Sequence, residues 1–244
     1  CKAVHYCSAA CQKAAWPAHK VVCQRPADRH AETKAALAAG LAAGHQAYAA
    51  KEYRAAFGHY SGVRERALAA DITFSANACE AARWCGHAMD SLKDPARAAA
   101  FMDESLRMAQ LLEHPGLEGH ARMGLGCVLR KQGRTAEAIA ELDRALAAAE
   151  EAEDLDLRAA VLTNLGSAEM PLYPMNAVQK LTQAVELREK QVDQAQEPHA
   201  KLAAAFHLGS ARSNFAASMH AQGMVQEAEG EYAAACLLYT SDAA

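Results

Sequence analysis

From His120 to Glu150 the chain reads HARMGLGCVLRKQGRTAEAIAELDRALAAAE, with apolar residues recurring at helical intervals. Counted from Gly126, Leu129 lies three on, Gly133 seven on, Ala138 twelve on and Leu142 sixteen on. This pattern predicts two antiparallel helices meeting at Gly133-Arg134-Thr135, with Thr135 as the N-cap of the second. Gly126 and Ala138 are small where the two axes approach most closely, because a larger side chain there would push them apart. Leu125, Leu129 and Leu142 supply the apolar seam between the helices.

The same register recurs. Gly44, Gly86, Gly126, Gly166 and, with alanine in place of glycine, Ala216 follow one another in steps of 42, 40, 40 and 50 residues. The first copy places Tyr53, Ala56 and Tyr60 on its second helix, weakened by Gly58 and Gly62. In the second, Asp94-Pro95 is a cap followed by a first-turn proline, Ala98, Met102 and Leu106 fill the inner face, and His114-Pro115-Gly116 ends the pair. The fourth has Asn164-Leu165-Gly166, an irregular turn from Met170 to Pro174, then Ala177, Leu181 and Ala184. The fifth has Asn214-Phe215-Ala216, Gly223, Ala228 and Tyr232, its first helix reaching back to about His199.

These positions resemble the tetratricopeptide (TPR) repeat, in the longer-period variety similar to kinesin light chains. The resemblance spans residues 35–235 as about five repeats, the last incomplete, and implies an all-α fold, a TPR-like solenoid of antiparallel helix pairs. Helices longer by about a turn and looser connections are expected to account for the long step. The resemblance also implies a concave groove on the first helices, suited to an extended or helical peptide. By register its positions are Arg83, His87, Met123, Cys127, Arg130, Lys131, Asn164 and His220, with Arg130 and Lys131 as candidate peptide contacts.

The first 24 residues carry different chemistry. Cys7 and Cys11 are spaced i, i+4, as are His19 and Cys23, so each pair faces one point if helical. Thiolate and imidazole donors in this arrangement suit tetrahedral zinc, and a segment this short needs a metal in place of a core. Tyr6-Cys7-Ser8, Cys11-Gln12 and Trp16-x-x-His19-Lys20-x-x-Cys23 resemble the C-terminal half of a MYND zinc finger. That resemblance implies two interleaved zinc ions in the intact finger. Cys7 and Cys11 would be two of four ligands to one, and Cys1, His19 and Cys23 three of four to the other. Both sites are incomplete in this chain, so weak or substoichiometric zinc is expected. The family also implies capture of proline-containing peptides, with Gln12 and Trp16 as the contacts. Residues 25–34, polar and containing Pro26, are expected to be a linker, the first repeat helix starting near Thr33.

Composition narrows the picture further. Of 244 residues 52% are hydrophobic and 22% charged, enough for a core, and alanine dominates, which favours close-packed helices. The net charge of −4 carries no basic field for nucleic acid or an anionic membrane, and no apolar run approaches a membrane span. Of eight cysteines, five lie in the finger or in the last nine residues, which points to metal ligation in a reducing, intracellular compartment (cytoplasm or nucleus) and not to a disulfide scaffold. Cys79, Cys85 and Cys127 read as buried small residues. Cys236 to Ala244, CLLYTSDAA, interrupts the expected second helix of the fifth repeat. Its back-translation resembles a transposase adapter used in sequencing libraries, so it is expected to be read-through.

Nucleophile–base pairs, paired carboxylates and phosphate-binding loops do not stand out. The expected function is a non-catalytic adaptor that binds partner proteins through finger and groove. The second reading is a fragment of a Set-and-MYND-like lysine methyltransferase, a family similar in joining a MYND finger to a TPR-like part but with a catalytic core between them. Here only the short linker separates the two.

Overall fold

The computed structural model describes residues 26–70 and 75–240, all helix and short turns among those described. The helices are α1 (Pro26–Ala49), α2 (Tyr53–Ala69), α3 (Ala76–Ser91), α4 (Pro95–Leu111), α5 (Pro115–Lys131), α6 (Thr135–Glu151), α7 (Leu155–Glu169), α8 (Pro174–Gln194), α9 (Pro198–Ala221) and α10 (Val225–Thr240). Each packs on its sequence neighbour, so odd and even helices form five consecutive hairpins. The expected zinc ligands Cys1, Cys7, Cys11, His19 and Cys23, and the expected peptide contacts Gln12 and Trp16, lie outside the described residues.

The repeating glycine does in space what its register requires. A Cβ built at Gly86 would lie 2.9 Å from Met102 Cε and 3.1 Å from the Ala98 carbonyl oxygen. At Gly126 it would meet Leu142 Cγ at 2.7 Å and the Ala138 oxygen at 3.2 Å; at Gly166, Leu181 Cγ at 2.6 Å and the Ala177 oxygen at 3.0 Å. Gly44 lies under the Tyr60 ring in the same way. Each glycine is thus the seat of the large side chain sixteen or so residues later, and Tyr60, Met102, Leu142 and Leu181 are fully buried on it. In the fifth hairpin Ala216 is buried at the corresponding position, and Tyr232, sixteen residues on, remains 40% exposed. On α4 the buried row continues from Met102 to Ser105 and Ala109, not to Leu106. Ser105 is accommodated because its hydroxyl donates to the Cys79 carbonyl at 2.9 Å.

Six connections share one turn. In α5 the Gly133 amide donates to the Arg130 carbonyl and the Arg134 amide to that of Leu129, a Schellman closure with Gly133 at φ 77°. Lys51, Lys93, Glu113, Glu153 and Gly223 occupy the same positive-φ position. This closure corrects the expected cap: Arg134 precedes the helix, Thr135 is its first residue, and no side chain caps it. Arg134 instead pairs with Glu137. Asp94 and Asp154 do cap, accepting from Arg97 and Leu157, and His114 Nδ1 caps α5. The long period comes from helices of 15 to 17 residues joined by these tight turns, not from loose connections. The 50-residue step arises where α8 has 21 residues and α9 has 24.

Two boundaries differ from expectation. The first helix begins at Pro26, so residues 26–34 are helical and not an extended linker; alanines and charged residues around a first-turn proline favour that. At the other end α10 continues through Cys236 to Thr240 without interruption, because Cys-Leu-Leu is compatible with a helix. Among the described residues no helix is long and apolar enough to cross a membrane.

A candidate peptide groove on the first helices

The groove follows from which helices crowd together. Backbones of consecutive first helices (α1, α3, α5, α7, α9) approach one another along the array, whereas those of second helices do not. Long side chains bridge the outer gap instead, as Arg64 does to Glu104 and Phe57 to Phe101. Crowding on one side and spreading on the other curves the stack, with the first helices on its inner face.

Two adjoining cavities lie on that face. One, of about 590 Å³, is bounded by His120 on α5, Asp156, Leu157 and Ala160 on α7, Arg188 on α8 and His207 on α9. The other, of about 290 Å³, reaches from Arg130 past Asn164 and Ser167 to Ser210 and Asn214. Ala160, Arg188 and His207 border both, so the two form one continuous groove across three repeats. The first is largely apolar at its alanine wall on α9; the second is lined mainly by amides, hydroxyls and guanidinium groups.

The positions expected from the register separate here. Arg130 lines the smaller cavity, is exposed and makes no ion pair among the described residues. Lys131, adjacent in sequence, points elsewhere and pairs with Asp90 at 2.5 Å. Asn164 lies in the groove, its Nδ2 donating to the Ala160 carbonyl and its Oδ1 accepting from Cys127 Sγ. Cys127 is thereby tied up, and burial raises its thiol pKa. Met123 packs into the clusters around Ala145 and Leu142 and belongs to the core. His220 is exposed in the last turn of α9. At the other end Arg83 lies over the Trp84 ring, 5.1 Å from its centre, in a group with His45, Tyr60 and His87. Burial, and then the neighbouring Arg83, His120 and Lys131, pull the His87 pKa down to about 3, so this histidine is neutral at pH 7. Burial lowers His120 and His207 too.

Register alone missed Arg188, His207 and Ser210. Arg188 sits on a second helix, which the repeat pattern assigns to the outside, yet it is 5% exposed and reaches between helices to the inner face. Asn214 was within reach: it precedes Ala216 by two, as Asn164 precedes Gly166.

Residues 1–23 match the MYND finger family. The helices after them form a TPR-like repeat array. Similar solved structures include the nearly identical TPR-like repeats of a kinesin light chain from Podosopora anserina, with 16% identity and a TM-score of 0.54 over 89% of this chain and 97% of that one. BtubC (BKLC) from P. vanneervenii shares 15% identity and a TM-score of 0.58 over 86% and 91%. A Rap protein complexed with Competence and Sporulation Factor shares 16% and 0.62, over 82% of this chain and 53% of that one. At these identities the likeness is one of fold. No curated protein matches the chain. Among the described residues no cluster of histidine, cysteine or carboxylate groups could hold a metal. The finger's four thiols together with the His19 imidazole, by their chemistry, fit zinc.

Proposed function

We propose that this chain is a non-catalytic adaptor whose inner groove takes an extended or helical segment of a partner protein. The observation that carries this reading is the continuous groove across α5, α7 and α9, with apolar walls at one end and amide and guanidinium donors at the other. A fold neighbour, the Rap protein, is found in complex with another molecule, and that supports a binding role for the architecture. The finger contributes a second, chemically different surface: Gln12 and Trp16 hold a proline-containing segment once zinc, bound through Cys1, Cys7, Cys11, His19 and Cys23, has ordered the module. Two modest sites on one partner raise each other's effective concentration.

Calorimetric titration of a purified partner against two variants tests this reading. Ala160→Phe fills the groove where the two cavities join and is expected to abolish groove binding without changing zinc content. Trp16→Ala is expected to weaken proline-containing ligands about thirtyfold, the usual loss at a hot-spot aromatic, with helical content unchanged. A partner held as tightly by both variants as by the parent refutes the adaptor reading.

A further inference from the structure

The backbones of α2 and α4 stand apart, and the side chains that bridge them form the floor of a furrow on the outer face. Arg97 lies 5.5 Å from the centre of the Phe57 ring, Phe57 5.7 Å from Phe101, and Arg64 4.9 Å from the centre of Phe101. Glu104 holds the end of this ladder, its two oxygens accepting from Arg64 Nη2 at 2.5 and 2.6 Å. Beside it a cavity of about 140 Å³ opens between α2, α3 and α4, lined by Arg64, Glu65, Leu68, Ala78, Glu104 and Met108. Leu68 is 68% exposed at this cavity, and Leu111, one turn after Met108 on α4, is 66% exposed. Two leucines left in water beside a hollow with room for a large side chain form a patch that a contact would cover.

The rim of the furrow has a charge preference. Arg54 stands one turn before Phe57, and Arg107 one turn before Leu111, so both border it. Both are exposed and make no ion pair among the described residues. Of the rim carboxylates, Glu104 is engaged by Arg64, and Asp94 by the amide and guanidinium of Arg97. That leaves two arginines against one exposed carboxylate, Glu65, in a chain whose net charge is −4.

We propose that the furrow between α2 and α4 docks an amphipathic helix of a partner protein, with a large apolar side chain in the cavity and carboxylates along its flanks. From Phe57 to Leu68 the furrow follows α2 for about 16 Å, the length of about three helical turns. A third helix lying in the gap between two others packs its ridge of side chains into their groove. The partner is not the same face of a second copy, because a two-fold contact would set Arg54 and Arg107 against like charges. Arg64, Phe57, Phe101 and Glu104 already hold one another, so docking costs little side-chain freedom. The furrow faces away from the inner groove, and the inference stands or falls apart from the adaptor reading made there.

The experiment uses the full chain and two fluorescein-labelled, end-capped helical peptides with leucine at i, i+4, i+7 and i+11. Glutamates flank the leucines in one peptide and lysines in the other. Fluorescence anisotropy is expected to show the glutamate peptide binding about tenfold tighter, with the advantage shrinking as salt rises. Leu68→Gln with Leu111→Gln is expected to weaken that peptide about tenfold, and Arg54→Gln with Arg107→Gln to remove its advantage. All four side chains are exposed, so melting temperature is expected to stay that of the parent. Arg66→Gln, on the α1 side of α2, leaves binding unchanged. Equal binding of the two peptides, or binding indifferent to both double variants, overturns the proposal. So does a peptide that senses Ala160→Phe and not the leucine variant, since it then lies in the inner groove. Absence of binding at about 100 μM peptide overturns it as well. With no peptide bound, capture by phosphatidylserine vesicles replaces the helix with a membrane as occupant, and a leucine-dependent dimer in sedimentation replaces it with a second copy; either result overturns the proposal.

Discussion

Replacing Gly126 with alanine sets two effects of opposite sign against each other. Removing a helical glycine stabilises by up to about 1 kcal/mol, because alanine has less backbone entropy to lose. The new Cβ, however, falls 2.7 Å from Leu142 Cγ, 3.1 Å from its Cδ2 and 3.2 Å from the Ala138 carbonyl oxygen. Ordinary carbon contacts need about 3.5 to 4.0 Å. Leu142 is fully buried and its Cγ is a branch point, so it cannot swing aside as a chain end would. Relief requires an off-rotamer leucine or separation of α5 from α6, and overpacking of this kind costs about 1–3 kcal/mol. The net expectation is a loss of about 1 kcal/mol, or a fall in melting temperature of about 2–4 °C, followed by far-ultraviolet circular dichroism. Gly62→Ala is the control: nothing lies within 4 Å of its Cβ, so the propensity gain stands alone and melting rises. In a Leu142→Ala background most of the clash is gone, and Gly126→Ala is expected to become neutral or stabilising. If Gly126→Ala raises the melting temperature as much as Gly62→Ala does, the close approach of the two helices is not what selects glycine here.

Glu113 and Glu153 adopt φ of 49° and 53° at turns that Gly133 and Gly223 also occupy, so Glu113→Gly and Glu153→Gly are each expected to raise stability by about 1 kcal/mol. Unchanged or lowered urea midpoints would argue against strain at those turns. The pH dependence follows from His87: the unfolded chain takes up its proton near pH 6.5 and the folded chain only near 3. The stability it contributes is therefore complete above about 6.5 and is lost as pH falls from there, by up to about 2 kcal/mol at pH 5, with His120 and His207 acting in the same direction. His87→Asn should flatten that slope, and a slope identical to the parent's would contradict the assignment. The proposed ligands, Cys1, Cys7, Cys11, His19 and Cys23, are five against the eight that two tetrahedral sites would need, and on that proposal native mass spectrometry is expected to find substoichiometric zinc that Cys7→Ser lowers further. Two tightly held ions would contradict the ligand count.

The repeat architecture was readable because its signal is steric and local. Gly86, Gly126 and Gly166 each precede by fifteen or sixteen residues the side chain they must accommodate, and that spacing survives whatever surrounds it. Turn detail was less readable. Thr135 has the side chain of a cap, but the Schellman closure at Gly133 claims the preceding residue first. The groove was readable only on first helices. Arg130 and Lys131 are neighbours in sequence, yet a helix turns about 100° between them, which sends one into the cavity and the other to Asp90. Arg188 carried no signal at all, because its place depends on how far α8 stands from α7 and α9 and not on any spacing in the chain.

Amide hydrogen exchange of the chain, alone and saturated with a purified partner segment, tests the groove most directly. Binding is expected to slow exchange in the parts of α5, α7 and α9 that carry His120 to Arg130, Asp156 to Ser167 and Ala203 to Asn214, and to leave α6 and the outer face of α4 unchanged. Protection confined to the second helices, or none on the first, would contradict the account.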